Sequence, residues 1–214
     1  MDTTMRNSEL LFLYDARLCN PNGDPDEENK PRMDYEAGRN LVSDVRLKRY
    51  LRDYWLDLDE ATWKGLGYPS KQDVWVRKLA DENGEPQTVS AKQRIDGLAK
   101  QFGGKSAKEA MKKPEFKKWL LERLIDVRLF GATIPVGEGE GDRAGGSLTL
   151  TGPVQFSWGY SLNRAELLAS STITSQFAGR EQEEKGQYGT MGKDWRVKYS
   201  LLAFYGTVSA WRAK

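Results

Sequence analysis

Two short stretches carry most of the chemistry open to this chain. In the first, Asn20, Asn22 and Gly23 stand in the run NPNGDP, where carboxamides offer N–H donors and glycine lets a backbone come close to a ligand. In the second, Arg46, Lys48, Arg49 and Arg52 follow at helical spacing. Lys48 and Arg52, four apart, share one side; Arg46 and Arg49 share another with Asp53. Cations paired this way suit a phosphate, which needs nearby positive charge and carries no base information. The competing reading is a solvated face with Arg46 or Arg49 paired to Asp53, and the residues alone favour it. A third stretch, Met191-Gly192-Lys193, offers close approach, a phosphate partner and an apolar wedge against a base, with an ordinary turn as its alternative.

Asp24, Asp26, Glu27, Glu28 and Asp34 crowd the loop after Asn22, and carboxylates are what a magnesium-dependent nuclease would require. Such loops are more often simply solvated. The chain has no histidine, which excludes Ser-His-Asp and Cys-His catalysis and every His-containing zinc site. Carboxylate-metal, lysine or tyrosine chemistry remains, so the expectation moves from enzyme to binding protein, with no cofactor and no metal. Charge is nearly balanced, 33 Lys and Arg against 31 Asp and Glu, so a polyanion-binding surface must come from local clustering. One cysteine, Cys19, rules out an intrachain disulfide, and the apolar run 10–13 is far too short to span a bilayer. A cytoplasmic protein without membrane contact is the simplest expectation.

The elements that must position these groups follow from periodicity. Residues 8–18 read as a central strand, and the Asn, Gly and Pro after them force a turn or ordered loop. Residues 41–55 read as a helix capped by Ser43 or Asp44, with Leu47, Tyr50, Leu51 and Tyr54 on its core side. A looser region follows: a short strand at 73–79, a turn at Asn83-Gly84, a helix at 93–102, and a capping box from Ser106 to Glu109. Pro114 opens a helix running to Phe130, with Phe116, Trp119, Leu120, Leu124 and Val127 as its stripe and Gly131 as its stop.

GEGEGDRAGG at 137–146 is a loop by composition, and it lacks the Gly-Lys-Ser/Thr ending of a phosphate loop. Residues 148–161 alternate as one strand, and residues 195–203 as another. Residues 164–193 then form an arm between two paired strands. Phe156, Trp158 and Tyr160 suit a base-stacking platform, but their clean alternation with polar residues assigns them to the core. The order of elements predicts an α+β sheet covered by helices on one face.

Several strings occur together: NPNGDPDEENKPRMD, LVSDVRLKRYLRDYW, DVRLFGATIP, LTGPVQFSWGYSLNR, TSQF and GTMGKDWRVKYSLLAFYGTVSA. In this order they resemble the crRNA-binding backbone subunit of type I CRISPR Cascade complexes, most like subtype I-B with subtype I-C close. The resemblance covers most of the chain outside residues 56–114. It implies an α+β fold with a modified RRM or ferredoxin-like palm carrying finger and thumb insertions. Mapped onto this sequence, residues 1–56 and 114–163 are the two halves of the palm, 57–113 a finger-like insertion, 164–193 a thumb-like arm and 194–214 a palm strand. Relatives continue past that strand, where this sequence stops.

The resemblance also implies a non-catalytic scaffold that polymerises head to tail along crRNA, joins other Cascade subunits, and meets target DNA through the crRNA. It turns the reading of Lys48 and Arg52 toward phosphate, with Arg46 and Arg49 beside them. It likewise turns Asn20, Asn22 and Gly23, and Met191, Gly192 and Lys193, toward RNA. Two alternatives stand beside it: a guide-dependent ribonuclease, like the type III backbone subunits that cut with an aspartate in a comparable loop, and a general single-stranded RNA-binding RRM protein.

Overall fold

In the computed structural model of the chain, residues 6–81, 83–136, 146–168, 171–175 and 190–213 are described, with backbone alone at 171–175, 190 and 191. The fold is mixed α and β, and its defined strand pairs are antiparallel. Two compact units divide it. One is Glu9–Leu47 with Phe156–Gly206; the other is Met1–Ser8, Lys48–Gln155 and Thr207–Lys214. The division falls inside helix Asp44–Asp57. Among the described residues no helix is long and apolar enough to cross a membrane.

The first unit is organised by a sheet in which Ser8–Cys19 pairs Val197–Val208, followed by Gly159–Ser161, Arg39–Val42 and Met33–Asp34. Its register sets Tyr160 opposite both Ala203 and Leu41, and Ser161 opposite Leu202. Since neighbours along a strand point to opposite faces, Val42, Leu202 and Phe204 share a face with Asn40, Ser161 and Ser200, and all six are buried. The polar three are tied to one another, and Asn40 Nδ2 and Ser161 Oγ also donate to the Arg32 and Asn163 carbonyls. The Asn40 amide donates to Ser161 Oγ at 3.0 Å, and Ser200 Oγ donates to Asn40 Oδ1 at 3.2 Å. A buried polar set with partners fixes strand register, because a slip would orphan every member.

Strand Ser8–Cys19 is not central. It lies at the end of the strand order, and Ala16 is its one buried residue, with Leu11 69% exposed. An unbroken apolar run reads as a doubly covered strand, but its neighbours in the sheet are set by which strands reach it. Strand Val197–Val208 alternates only in part: Leu202 and Phe204 are buried, Val197 and Ala203 on the other face are buried as well, and Tyr199 is exposed.

The second unit has its own core, where helices Ala91–Gln101, Ala107–Ala110 and Pro114–Arg123 pack Ile95, Leu98, Phe116 and Leu120 against Leu124, Val127 and Ile134. Ser90 and Gln93 form a reciprocal capping box at the start of the first of these. At Ser106 the box is half made: Ser106 accepts from the Glu109 amide, but the Glu109 carboxylate takes the Lys105 amide.

The helix expected over 114–130 breaks at Leu124, whose backbone is extended, and resumes as Ile125–Phe130. The cause is a long-range pairing. Asp73 donates to the Arg123 carbonyl and accepts from the Ile125 amide, which requires Leu124 to leave the helix. Residues 73–78 accordingly make this one bridge and no strand, and the paired strands are Leu79–Ala80 and Pro86–Gln87, around the turn at Gly84.

The strand expected over 148–161 is three pieces, Ser147–Thr151, Val154–Phe156 and Gly159–Ser161. The first pairs Gly131–Pro135, and Gly131 and Gly152 approach so closely that a Cβ on either would strike backbone. Most of the expected 137–146 loop lies outside the described residues.

Candidate nucleic-acid interface

In the first unit the loop after Cys19 is held by its own carboxamides. Asn22 Oδ1 accepts from both the amide and the hydroxyl of Ser43, at 2.9 and 3.0 Å, and Ser43 Oγ in turn accepts from the Arg46 amide. Asn22 therefore ties the loop to the N-terminus of helix Asp44–Asp57, and Ser43 caps that helix. Asn20 Nδ2 donates to the Asn29 carbonyl at 2.6 Å, while its Oδ1 is buried without a partner among the described residues. Gly23 pairs Pro31, and a Cβ there would collide with Asn29. Arg46, exposed, sets its Nε 3.3 Å from the Pro21 carbonyl. The structure thus brings Asn20, Asn22, Gly23 and Arg46 to one loop.

Lys193 reaches the same loop. From strand Thr190–Asp194, paired to Ser171–Ser175, its ammonium meets both Glu28 carboxylate oxygens at 2.9 Å. The hydrogen bond from Lys193, and then its charge, hold the Glu28 carboxyl below its ordinary value. Gly192 pairs Ile173 in that hairpin, and Met191 pairs Thr174, its side chain lying outside the described residues. Residues 176–189 of the expected arm are likewise outside them. Four of the five crowded carboxylates, all but Asp26, have internal partners among the described residues, Glu28 with Lys193 being one. Asp24 takes Arg32 at 2.8 Å, Glu27 takes the Tyr35 hydroxyl and Asp34 the Ala37 amide.

The other three cations of the helix belong to the second unit, and they divide. Arg52 sets Nε 2.7 Å from Asp126 Oδ2, a carboxylate that is 1% exposed and also accepts from the amides of Trp75 and Val127. Its guanidinium is committed to that anion. Arg49 donates to the Asp53 carboxylate and to the Val76 carbonyl. Lys48 and Arg52 stand over the Phe130 ring, at 5.5 and 5.7 Å from its centroid. The core side of the helix also shifts. Leu47 is buried and Trp55 stacks on Phe130 at 5.7 Å, whereas Tyr54 is 61% exposed.

Trp158 and Tyr160 are corrected as well. They are 47% and 44% exposed, on the sheet face that also carries Tyr199 and Tyr205, and Arg32 and Arg39 lie over their rings at 5.8 and 5.1 Å. Alternation alone cannot show this, because strand Val197–Val208 is apolar on both faces and either phase looks like a core. The signal available was the arginine pair, Arg32 just before strand Met33–Asp34 and Arg39 at the start of strand Arg39–Val42.

The profile of the family "CRISPR-associated protein Cas7" matches residues 6–214. The CRISPR-associated protein Cas7 of Haloferax volcanii is 33% identical over 216 residues, an alignment covering 96% of this chain and 57% of that protein. The chain therefore spans little more than half the length of that relative. Among solved structures, a chain of a "CRISPR RNA-guided surveillance complex, pre-nicking" aligns over 97% of this chain and 66% of its own length, at 16% identity and a TM-score of 0.45.

Proposed function

This chain belongs to the CRISPR-associated Cas7 family, and from that premise we propose that it is a crRNA-binding scaffold of a type I Cascade complex. It polymerises head to tail along the spacer, joins other Cascade subunits and presents the RNA for pairing with target DNA. In this reading the sheet unit is an RRM-type palm, residues 57–113 supply the fingers and the hairpin ending at Lys193 is the base of the thumb. The subtype is I-B or I-C.

One observation carries the reading: Asn20, Asn22, Gly23, Arg46 and Lys193 gather at a single loop that is fastened to a helix N-terminus. Such a loop presents preformed backbone and amide geometry to phosphates and 2′-hydroxyls without reading sequence. Base identity is left to pairing with the target, as in other RNA-guided systems. Lys48 and Arg49 flank the same helix, while Arg52 acts through Asp126 by holding the helix in place. The chain itself cuts nothing, a reading supported by Asp24, Glu27 and Glu28 each being engaged within the fold.

The test is stepwise loading. Mixed with a spacer-length single-stranded RNA, the chain should give discrete species of increasing mass, with the RNA intact in magnesium. A chain that stays monomeric beside free RNA would contradict the scaffold, and RNA fragments abolished by Asp24→Ala would favour the ribonuclease.

A further inference from the structure

The second unit contains a cavity of about 300 Å³ whose wall includes Arg49, Trp75, Arg77, Lys78, Thr88 and Arg94. Among the described residues no carboxylate lines it. The acids that answer its cations stand behind the wall: Asp53 on Arg49, and Asp73 on both Arg77 and Arg94. Four positive charges thus face two negative ones. Asp126, the next acid, is occupied by Arg52.

The donors there are also under-used. The Nε atoms of Arg49, Arg77 and Arg94 are all buried without a hydrogen-bond acceptor among the described residues, and Arg94 as a whole is 5% exposed. Arg77 Nε lies 3.1 Å from Asp73 Oδ1 without the angle of a hydrogen bond. Buried N–H groups are almost always paired; Arg77 Nε keeps its ion pair with Asp73, so the Nε atoms of Arg49 and Arg94 are the donors on this wall left unanswered among the described residues.

A third feature is the start of helix Ala91–Gln101. Ala91 lines the cavity, the first turn has no acidic residue, and the Ser90–Gln93 box leaves the Ala91 and Lys92 amides without an intrahelical acceptor. Helix N-termini of this kind attract anions.

We propose that this cavity seats a backbone phosphate of single-stranded nucleic acid, held by Arg49, Arg77, Lys78 and Arg94 with the Ala91 amide end of the helix. Trp75, Val76 and Val89 give the apolar wall that a sugar or base beside the phosphate would meet. The proposal rests on the RNA-binding reading above and adds to it a second phosphate seat, in the insertion, separate from the Asn22 loop. Lys78, exposed and with no ion pair among the described residues, is the side chain free to close over the ligand.

The test compares the full chain with its Arg77→Gln/Lys78→Glu variant, measuring single-stranded RNA affinity by fluorescence anisotropy over a range of salt. Lys118→Glu, an exposed lysine outside the cavity, is the control, and it matches the two-unit charge change of Lys78→Glu alone. The seat predicts a fall of roughly ten- to a hundredfold for the cavity variant. It also predicts a log–log salt slope shallower by about 0.7 for each phosphate that is no longer neutralised, with the control near wild type. Lys78→Glu alone repeats the test at a residue with no internal partner, should the double variant melt early.

An unchanged slope in the cavity variants, or an equal loss in Lys118→Glu, overturns the seat while leaving the scaffold reading intact. Wild type that ignores RNA at low salt removes both. Loss of self-association with unchanged affinity for RNA too short to hold two copies assigns the cavity to a protein contact and overturns the seat.

Discussion

In the loop around Asn22 the carboxylates Asp24 and Glu28 each hold a cation, Arg32 and Lys193, so the loop is nearly neutral and kept in shape by its own charges. Among the described residues, the wall beside Arg49 sets four cations against two carboxylates and leaves the buried Nε atoms of Arg49 and Arg94 without acceptors. Both regions are rich in basic residues, yet they are suited to different work. A loop with internal partners is preformed and offers backbone and amide geometry; an under-neutralised cavity offers net charge and asks for an anion. The number of Lys and Arg in a stretch says little until their partners are known.

That contrast depends most on Arg52 being internal. Asp126→Ala should cost about 3–5 kcal/mol in urea unfolding, the usual penalty for stranding one member of a buried ion pair. A cost below about 1 kcal/mol would put Arg52 back among the cations available to RNA. Next in size, Asn22→Ala orphans the Ser43 amide and hydroxyl and should cost about 1–3 kcal/mol, with faster hydrogen exchange at Arg46 and Leu47. Unchanged exchange there would mean that the loop does not depend on this tie.

Lys193→Ala addresses the neutrality of the loop and should show in titration. The folded Glu28 carboxyl lies below its ordinary 4.5, so its contribution to stability is present above pH 4.5 and is lost as the pH falls through the lower folded value. Removing Lys193 should return the midpoint of Glu28, followed by carboxyl NMR, to near 4.5. A midpoint that does not move would show that the pair is not made in solution. The smallest effect is expected at Trp158. Trp158→Ala should change stability by no more than about 0.5 kcal/mol if the exposed face is as described, against about 3–5 kcal/mol for a tryptophan in a core.

Local features were legible in the residues. Ser43 caps the helix whose spacing announced it, Gly84 and Gly131 turn where their neighbours said they should, and the helix read at 93–102 is present as Ala91–Gln101. Features that need a distant partner were not. The partner of Arg52 lies 74 positions away, and the break at Leu124 exists because Asp73 inserts its backbone there. The strand Ser8–Cys19 looked central because apolar content reports burial in general and not position in a sheet. Trp158 and Tyr160 looked buried because alternation gives two faces without saying which is covered. For the candidate site, the Asn22 loop and the basic helix were visible, whereas Arg77 and Lys78 were read only as part of a short strand and Arg94 as part of a short helix, with nothing in their spacing to bring them together.

The central claim is that the chain grips RNA through phosphates and without sequence preference. Affinity of the wild-type chain for two unrelated single-stranded RNAs of one length, measured from low to moderate salt, tests it directly. The account predicts equal affinities that fall together, with a log–log slope of about −0.7 per phosphate neutralised. A salt-independent affinity, or tight binding to one sequence alone, would contradict it.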